Sequence, residues 1–325
     1  MLGSLCISRV LVISSTDRRK VKALPWVLAL AVGLMIATQA RINGQLAVAL
    51  DSGVDAATVS FVLGFGCVIA LLVATPSGRL GIRRLVSAVR ERRLVPWQLI
   101  GGFLGAYFVW AQSMSVPRIG VALFIVAVVA GQTVNSLMVD RLGVAPIGVI
   151  AITRTRVVSA LIGLGAVCVA VIPRLSGSPV VLWALLASVA AGAFVAFQQA
   201  VNGRVARAAG NSWAATGVNF ALGAGTLVLV VLVLNVLGEP FHFSDLPASP
   251  WLYLGGPVGV AFIAAAAWVV PMLGVLRFGL LSIAGQLTGA LVWDVLAPTP
   301  GAVVSINVVV GIVLAFLAVV VSAKK

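Results

Sequence analysis

The chain has 325 residues, of which 61% are hydrophobic and only 9% are charged. Soluble domains usually carry about 25% charged residues, so this composition excludes an ordinary water-soluble fold and indicates a protein that uses lipid as its solvent. The net charge of +14 would suggest a nucleic-acid partner in a soluble protein. Here the basic residues lie between long apolar segments, so membrane topology explains them and no nucleic acid is expected as a partner.

Residues 1–23 contain a short apolar patch that is followed by charged residues. A secretory signal peptide has the opposite order and a longer apolar region. We therefore predict a cytoplasmic N-terminal tail at residues 1–23, with an over-called gene start as the alternative.

Ten apolar segments follow this tail. Each is close to the roughly 20 residues that a helix needs to cross about 30 Å of hydrocarbon. The segments lie at about residues 24–42, 54–75, 97–115, 119–139, 151–173, 180–200, 212–237, 251–270, 278–296 and 302–322. Because backbone polar groups must find partners within the chain at this depth, we predict an all-α integral membrane protein with ten transmembrane helices.

The positive-inside rule tests this count. With the N-terminus in the cytoplasm, 19 of the 22 Lys and Arg residues fall on the cytoplasmic side, and five of the eight acidic residues fall outside. Only Arg41, Arg118 and Arg174 are basic residues on the outer side. One missed or additional span would destroy this segregation. We therefore predict a multi-pass protein of the cell (cytoplasmic) membrane with both termini in the cytoplasm.

The sequence also repeats itself. Shifts of 159 and 154 residues align Gln39 with Gln198, Asn43 with Asn202, Gly101 with Gly255, Gln132 with Gln286 and Asp140 with Asp294. A repeat of five helices, an odd number, enters the membrane in opposite directions in the two halves. Residues 24–174 and 175–325 are therefore predicted to be two inverted five-helix repeats, an architecture in which transporters bind substrate between the repeats near the midplane.

These motifs together resemble the YdcZ-like group of the drug/metabolite transporter (DMT, EamA-like) superfamily. The resemblance covers about residues 24–322. It rests on QxxxNG from Gln39 and Gln198, SFVLG and NFALG from Ser60 and Asn219, GGxxG from Gly101 and Gly255, and two GQ pairs with an aspartate eight residues on. It implies a ten-helix bundle of two inverted repeats and a role in metabolite transport, with export as the direction. The chain departs from the pattern in its long N-terminal tail and in Arg41.

Two amide pairs are the first candidates for a substrate-binding site. Gln39 and Asn43 are four residues apart and therefore share one helix face, as do Gln198 and Asn202. The pairs either position substrate and gate its path, or link helices as buried amides do, for about 0.6–2 kcal/mol each. The sequence leaves both interpretations open.

Gln132 and Gln286 are predicted near the middle of their helices, where an amide without a partner is most costly. The neighbouring Gly131 and Gly285 allow a close approach of another backbone. We therefore interpret both glutamines as substrate-binding residues at the repeat interface. Trp110, in the middle of the third span, is a further candidate for the cavity wall, with simple packing as the alternative.

Asp140 and Asp294 each lie eight residues beyond these glutamines, about 12 Å along a helix axis, and so near opposite membrane surfaces. They are candidate sites for coupling transport to a proton or another cation. The alternative is a solvated helix end or one paired with an arginine, and Arg141 is adjacent to Asp140.

The sequence lacks the residue patterns that metal sites and common membrane enzymes require. Cys6, Cys67 and Cys168 are scattered and His242 is the single histidine, so no metal site and no cofactor are expected. The GxxxxGK[ST], HExxH and GxSxG signatures are absent, so the protein is not expected to be an enzyme. The leading hypothesis is a secondary transporter in the lipid bilayer that exports a small-molecule substrate, with a homodimer left open. The alternative is a membrane-embedded non-transporting subunit or a lipid-handling protein.

Overall fold

The computed structural model of the chain describes residues 15–144, 148–149, 151–172, 179–239, 241, 246–298, 302 and 305–323. Cys6, Arg174, His242 and the first 14 residues of the predicted tail lie outside the described residues. The described part is helical throughout and contains no strand. Its helices are α1 (Ser15–Ala49), α2 (Gly53–Ala74), α3 (Pro76–Arg90), α4 (Gly101–Arg141), α5 (Arg154–Val171), α6 (Pro179–Ala209), α7 (Ser212–Val236), α8 (Gly255–Leu296) and α9 (Ile306–Ala323).

Short 3₁₀ turns at Pro96–Leu99 and Pro250–Leu254 lead into α4 and α8. Seven described segments are long and apolar enough to cross a membrane, namely Ala23–Ala49, Gly53–Ala74, Pro96–Arg141, Pro179–Ala209, Ser212–Val236, Pro250–Val270 and Phe278–Leu296, and Ile306–Ala318 is a shorter apolar helix. The third and fourth predicted spans both lie in α4, which contains a kink. The eighth and ninth both lie in α8.

One helix boundary and one additional helix differ from the sequence-based expectation. Helix α1 begins at Ser15, so part of the predicted tail is helical. Helix α3, in the basic loop between the second and third predicted spans, was not predicted. It begins with Thr75 as N-cap and Pro76 in its first turn, and its buried face consists of the small residues Gly78, Gly81 and Ala88. Amphipathic surface helices of this kind do not register in a search for apolar segments.

Large apolar side chains cover the outside of the bundle. Val27, Leu161 and Leu229 are each about three-fifths exposed (61–62%). In water, a surface of this kind would drive association. In a bilayer it faces lipid tails, so the pattern of burial agrees with the composition.

Helix α4 breaks at Gly120, which has φ 81° and ψ 165°. Pro117 lacks the N–H that would bond within the helix, and the positive φ at Gly120 is accessible only to glycine at low cost. The break divides α4 into α4a (residues 101–119) and α4b (residues 121–141). Each part is close to the length that crosses a bilayer. The corresponding parts of α8 are called α8a (residues 255–270) and α8b (Phe278–Leu296).

Two glycine contacts set the closest helix crossings. A Cβ placed on Gly33 of α1 would lie 1.9 Å from a backbone oxygen of α8b, and one on Gly285 of α8b would lie 2.1 Å from a backbone oxygen of α1. The same holds for α6 and α4b, where a Cβ on Gly192 or Gly131 would lie 1.9 Å from a backbone oxygen of the other helix. Helix α1 therefore packs on α8b as α6 packs on α4b.

The centre of the bundle is a pair of phenylalanines from α2 and α7. The Phe61 and Phe220 ring centroids are 5.0 Å apart. A Cβ on Gly64 would lie 2.2 Å from the Phe220 ring, and a Cβ on Gly223 would lie 2.2 Å from the Phe61 ring. Each ring thus fits against a glycine of the other helix. Helices α5 and α9 lie together at the periphery, where the Ser159 hydroxyl donates to the Ala318 carbonyl (2.6 Å).

Candidate functional site

A narrow cavity lies around the two phenylalanines, between α1, α2, α4a, α6, α7 and α8. Measured as the space open to the centre of a water molecule, its volume is about 40 Å³. This is room for a few water molecules but not for a metabolite. The polar residues of its wall are Gln39, Ser60, Gln198, Gln199, Asn202 and Gln286.

Gln39 and Gln198 hold equivalent positions in this wall. The side-chain N–H of Gln39 donates to the Gly255 carbonyl (2.9 Å), and that of Gln198 donates to the Gly101 carbonyl (3.1 Å). The Gln39 bond joins α1 to α8a, and the Gln198 bond joins α6 to α4a. The amides therefore link helices and line the cavity at the same time, so the two interpretations left open by the sequence are compatible.

Asn43 and Asn202 are not equivalent in the structure. Asn202 lines the cavity and accepts a hydrogen bond from the Asn219 side chain (3.4 Å). Asn43 is fully buried beside Gly255, and neither of its side-chain polar atoms has a hydrogen-bond partner. It does not belong to the cavity wall. The cavity therefore extends farther at the Asn202 end than at the Asn43 end.

Gln132 and Gln286 are also separated. Gln286 lines the cavity and donates to the Ser282 hydroxyl (3.3 Å). Gln132 lies outside the cavity wall and donates to the side-chain oxygen of Gln199 (3.5 Å), which does line it. Gln132 thus reaches the cavity only through Gln199.

Trp110 lies in a different place. It lines a groove with Val54, Tyr107 and Thr226 on the side of the bundle, and its ring is 5.3 Å from that of Tyr107. The central cavity does not include it.

Three polar residues near the cavity were not predicted. Ser60 and Gln199 line it, and the fully buried Gln112 donates to the Gln39 side-chain oxygen (3.2 Å). Alanine stands at the repeat-related positions of both Gln112 and Gln199. The internal repeat, which was the strongest signal in the sequence, therefore could not have found these two glutamines.

Asp294, near the end of α8b, contacts the start of α4b. Its carboxylate accepts hydrogen bonds from the backbone N–H groups of Val121 (3.0 Å) and Ala122 (2.7 Å), the first donors of α4b after the break at Gly120. A carboxylate at a helix N-terminus is favoured by both the free N–H groups and the helix dipole. Arg41 is buried near this carboxylate and attracts it electrostatically, while its Nε and Nη1 have no hydrogen-bond partner.

Asp140, at the opposite end, behaves differently. Its Oδ2 forms a buried ion pair with Nη2 of Arg156 in α5, and its Oδ1 has no hydrogen-bond partner. The arginine beside it in sequence, Arg141, is exposed and is not the partner. The two aspartates thus occupy matching positions in sequence but have different partners.

Comparisons with known proteins agree with this architecture. The chain matches the family model described as "Putative inner membrane exporter, YdcZ" at residues 24–169 and 182–321. Inner membrane protein YdcZ of Escherichia coli (strain K12) is 40% identical over 63 residues, which are 19% of this chain and 39% of that protein. A crystal structure described only as that of a protein has a TM-score of 0.56 at 20% identity, covering 94% of this chain and 96% of the other. At that identity the likeness shows the fold alone.

Proposed function

The chain belongs to the YdcZ family of the drug/metabolite transporter superfamily, and on this premise we propose that it is a secondary transporter that exports a small metabolite or drug-like solute by alternating access. The observation that carries the proposal is the amide-lined cavity at the centre of an apolar helix bundle. Buried amides at this depth are costly unless they serve packing or a ligand. Here the same amides border open space.

The proposed transporter has ten spans in two inverted repeats. Support comes from the break in α4, which yields two segments of spanning length, and from the two spanning segments within α8. Further support comes from paired contacts at the sequence offsets of the repeat. Gly33 and Gly285 pack as Gly192 and Gly131 do, and the Gln39 bond to Gly255 matches the Gln198 bond to Gly101.

The comparisons with known proteins also support two repeats that arose by duplication. The family model matches two successive stretches of similar length. Because 63 residues are 39% of the Escherichia coli relative, that protein is about 160 residues long, about half of this chain. We infer that each half of this chain corresponds to one such unit, with residues 24–174 and 175–325 as the two repeats.

Both termini are proposed to lie in the cytoplasm, which can be tested by labelling. In a chain without native cysteines, we expect a membrane-impermeant maleimide to react with Glu239→Cys on intact cells and with Arg90→Cys only after permeabilisation. Both positions are exposed in the structure. The positive-inside rule places the basic α3 segment in the cytoplasm. Labelling of both cysteines from the same side would contradict the ten-span topology.

Alternating access is proposed to follow from the different partners of the two aspartates. The cavity reaches the Asn202 end, and Val139, next to Asp140, packs against Ala200 and Val201 near that end. The opposite end is closed where Asp294 holds the start of α4b. In the alternate state, we propose that Asp140 leaves Arg156 and accepts hydrogen bonds from the backbone N–H groups of residues 275 and 276. These residues follow Val121 and Ala122 at the repeat offset of 154. Asp294 then releases the start of α4b.

This exchange also suggests how transport is coupled to an ion. A proton on Asp294 removes the negative charge that binds the N–H groups of α4b, and so weakens the closed end. Asp294 and Asp140 are therefore the proposed coupling residues. In the described part of the chain no group of three or more His, Cys, Asp or Glu residues could hold a metal ion.

The test of function is solute flux in proteoliposomes against a panel of metabolites. Gln286→Ala is expected to lower flux about ten-fold, equivalent to about 1.4 kcal/mol for a lost solute contact. Gln132→Ala is the matched control, because it removes the repeat-related amide outside the cavity wall. It should retain most of the flux. Equal losses in both variants would contradict the site, and the absence of flux for the whole panel would contradict transport.

A further inference from the structure

The wall of the central cavity carries no charge. Among the described residues that line it, the polar groups are five side-chain amides and the Ser60 hydroxyl, and none is Asp, Glu, Lys, Arg or His. Most transport sites for ions or ionised metabolites in a membrane contain a group of opposite charge, because an uncompensated charge at this depth costs several kcal/mol. This cavity offers only dipoles.

The buried charged side chains of the described residues lie outside the cavity wall. The Asp294 carboxylate binds the start of α4b, and Asp140 is paired with Arg156. Arg41 is next to Asp294, and it does not line the cavity. None of these charges borders a solute in the cavity.

The apolar part of the wall is aromatic and branched. Phe61, Phe108, Phe220 and Phe262 contribute rings, and valine, isoleucine and alanine side chains fill the space between them. A bare aromatic wall can attract an organic cation through the ring faces. Here Phe61 and Phe220 pack against each other at 5.0 Å, and Phe108 packs against Phe124 at 6.0 Å. Three of the four rings are thus already in ring contacts, and the wall suits an apolar body.

The polar groups of the wall leave both donors and acceptors unoccupied, because each side-chain amide carries two N–H donors and a hydroxyl both donates and accepts. Gln39, Gln198 and Gln286 each direct a side-chain N–H to a protein oxygen. The Ser60 hydroxyl is buried without a partner. The side-chain oxygen of Gln198 has no described protein donor, whereas that of Gln39 is occupied by Gln112. A ligand hydroxyl, which both donates and accepts, can therefore meet these groups.

We infer that the substrate is an uncharged solute with an aromatic or branched apolar body and at least one hydroxyl or other hydrogen-bonding group. The inference rests on the proposed transport function and uses the same cavity. It defines the class by chemistry: anionic metabolites and quaternary or protonated amines are excluded, and neutral amphiphilic solutes are selected.

The test uses matched triads in which one aromatic ring carries a hydroxymethyl, a carboxylate or a trimethylammonium-methyl group. Binding is measured as the rise in thermal midpoint of the purified full chain in detergent. At millimolar ligand concentrations, we expect the neutral member of each triad to raise the thermal midpoint. The two charged members should leave it unchanged. The substrate class is overturned if a charged member stabilises the protein as much as or more than its neutral counterpart. It is also overturned if no neutral member stabilises the protein.

A variant ties the effect to the cavity. Ser60→Ala removes a hydroxyl that has no protein partner, so the ligand-free midpoint should stay the same. The ligand-induced shift should fall at least three-fold, and an undiminished shift would overturn the assignment of the site. Flux separates this inference from the proposed function. Gln286-dependent flux of a charged solute would overturn the substrate class and retain transport, whereas binding of neutral members without any flux would overturn transport and retain the class.

Discussion

A methyl group added at Gly192 is expected to separate α6 from α4b and to lower the stability of the protein strongly. The new Cβ would lie 1.9 Å from the backbone oxygen of Val128, and 2.8 Å from its Cα. Overpacking a well-filled site typically costs about 1–3 kcal/mol, and the upper end applies where the obstacle is a backbone that cannot rotate away. The expected loss for Gly192→Ala is therefore about 3 kcal/mol or a failure to accumulate folded protein.

The measurement is the thermal midpoint and the yield of monodisperse protein in detergent. Gly225→Ala in α7 is the matched control, because a Cβ there would meet nothing within 4 Å. That variant should fold with wild-type yield. Gly33→Ala, at the equivalent crossing of α1 and α8b, should resemble Gly192→Ala. If Gly192→Ala and Gly225→Ala had the same midpoint, the close crossing of α6 and α4b would be wrong.

The sequence predicted the class of fold because the solvent leaves a strong record in composition. Long apolar segments separated by basic loops require helices in lipid, and the segment predicted at 278–296 matches the spanning helix Phe278–Leu296. The amphipathic helix α3 was missed because it lies along the surface. The two spans of α4 were predicted to separate around Pro117, whereas the helix continues past Pro117 and breaks at Gly120. The position of a break depends on which residue adopts the positive φ, and this was missed.

The candidate site was harder to predict, since rotation of a helix about its axis is not visible in a segment that is apolar on every face. Depth in the membrane could be read from sequence, but facing direction could not. Trp110 has the right depth and faces a side groove, whereas Gln286 faces the cavity. The repeat helped only where both halves carry the residue, which is why Gln112 and Gln199 escaped it.

Repeat symmetry also suggests more equivalence than the structure contains. Asn43 and Asn202, or Gln132 and Gln286, are identical in type and register, yet one member of each pair borders the cavity and the other does not. The proposed alternating access requires such a difference, because the two ends of a transporter cannot be open at once. The differences between related positions are therefore as informative about mechanism as the similarities.

The second large effect is expected for Asp294→Asn. Asparagine is close in size but has no charge and carries an NH2 donor in place of one oxygen, so it cannot reproduce the two bonds that Oδ1 and Oδ2 accept from α4b. Hydrogen bonds to charged groups contribute about 1.5–3 kcal/mol, so losing one should shift the balance between closed and open ends by about ten-fold to a hundred-fold. Net flux should fall by a similar factor, because the end that Asp294 closes would no longer stay shut when the other end opens.

Accessibility of the closed end measures this shift directly. Ser113→Cys is a small change at a fully buried position of α4a whose hydroxyl has no partner. In a chain without native cysteines, reconstituted in nanodiscs so that both faces are available, a polar maleimide should label it slowly. Adding Asp294→Asn should accelerate labelling about ten-fold or more. Asp140→Asn is the control at the opposite end.

The control separates loss of the closed end from general loss of stability. Asp140→Asn leaves Arg156 buried without its counter-charge, which typically costs about 3–5 kcal/mol, so this variant should melt earlier than Asp294→Asn. Labelling of the cysteine introduced at position 113 should nevertheless stay slow below the melting temperature, because Asp140 does not hold α4b at its N-terminus. If Asp294→Asn left labelling unchanged, or if Asp140→Asn accelerated it equally, the exchange of partners between the two aspartates would not be the device that alternates access.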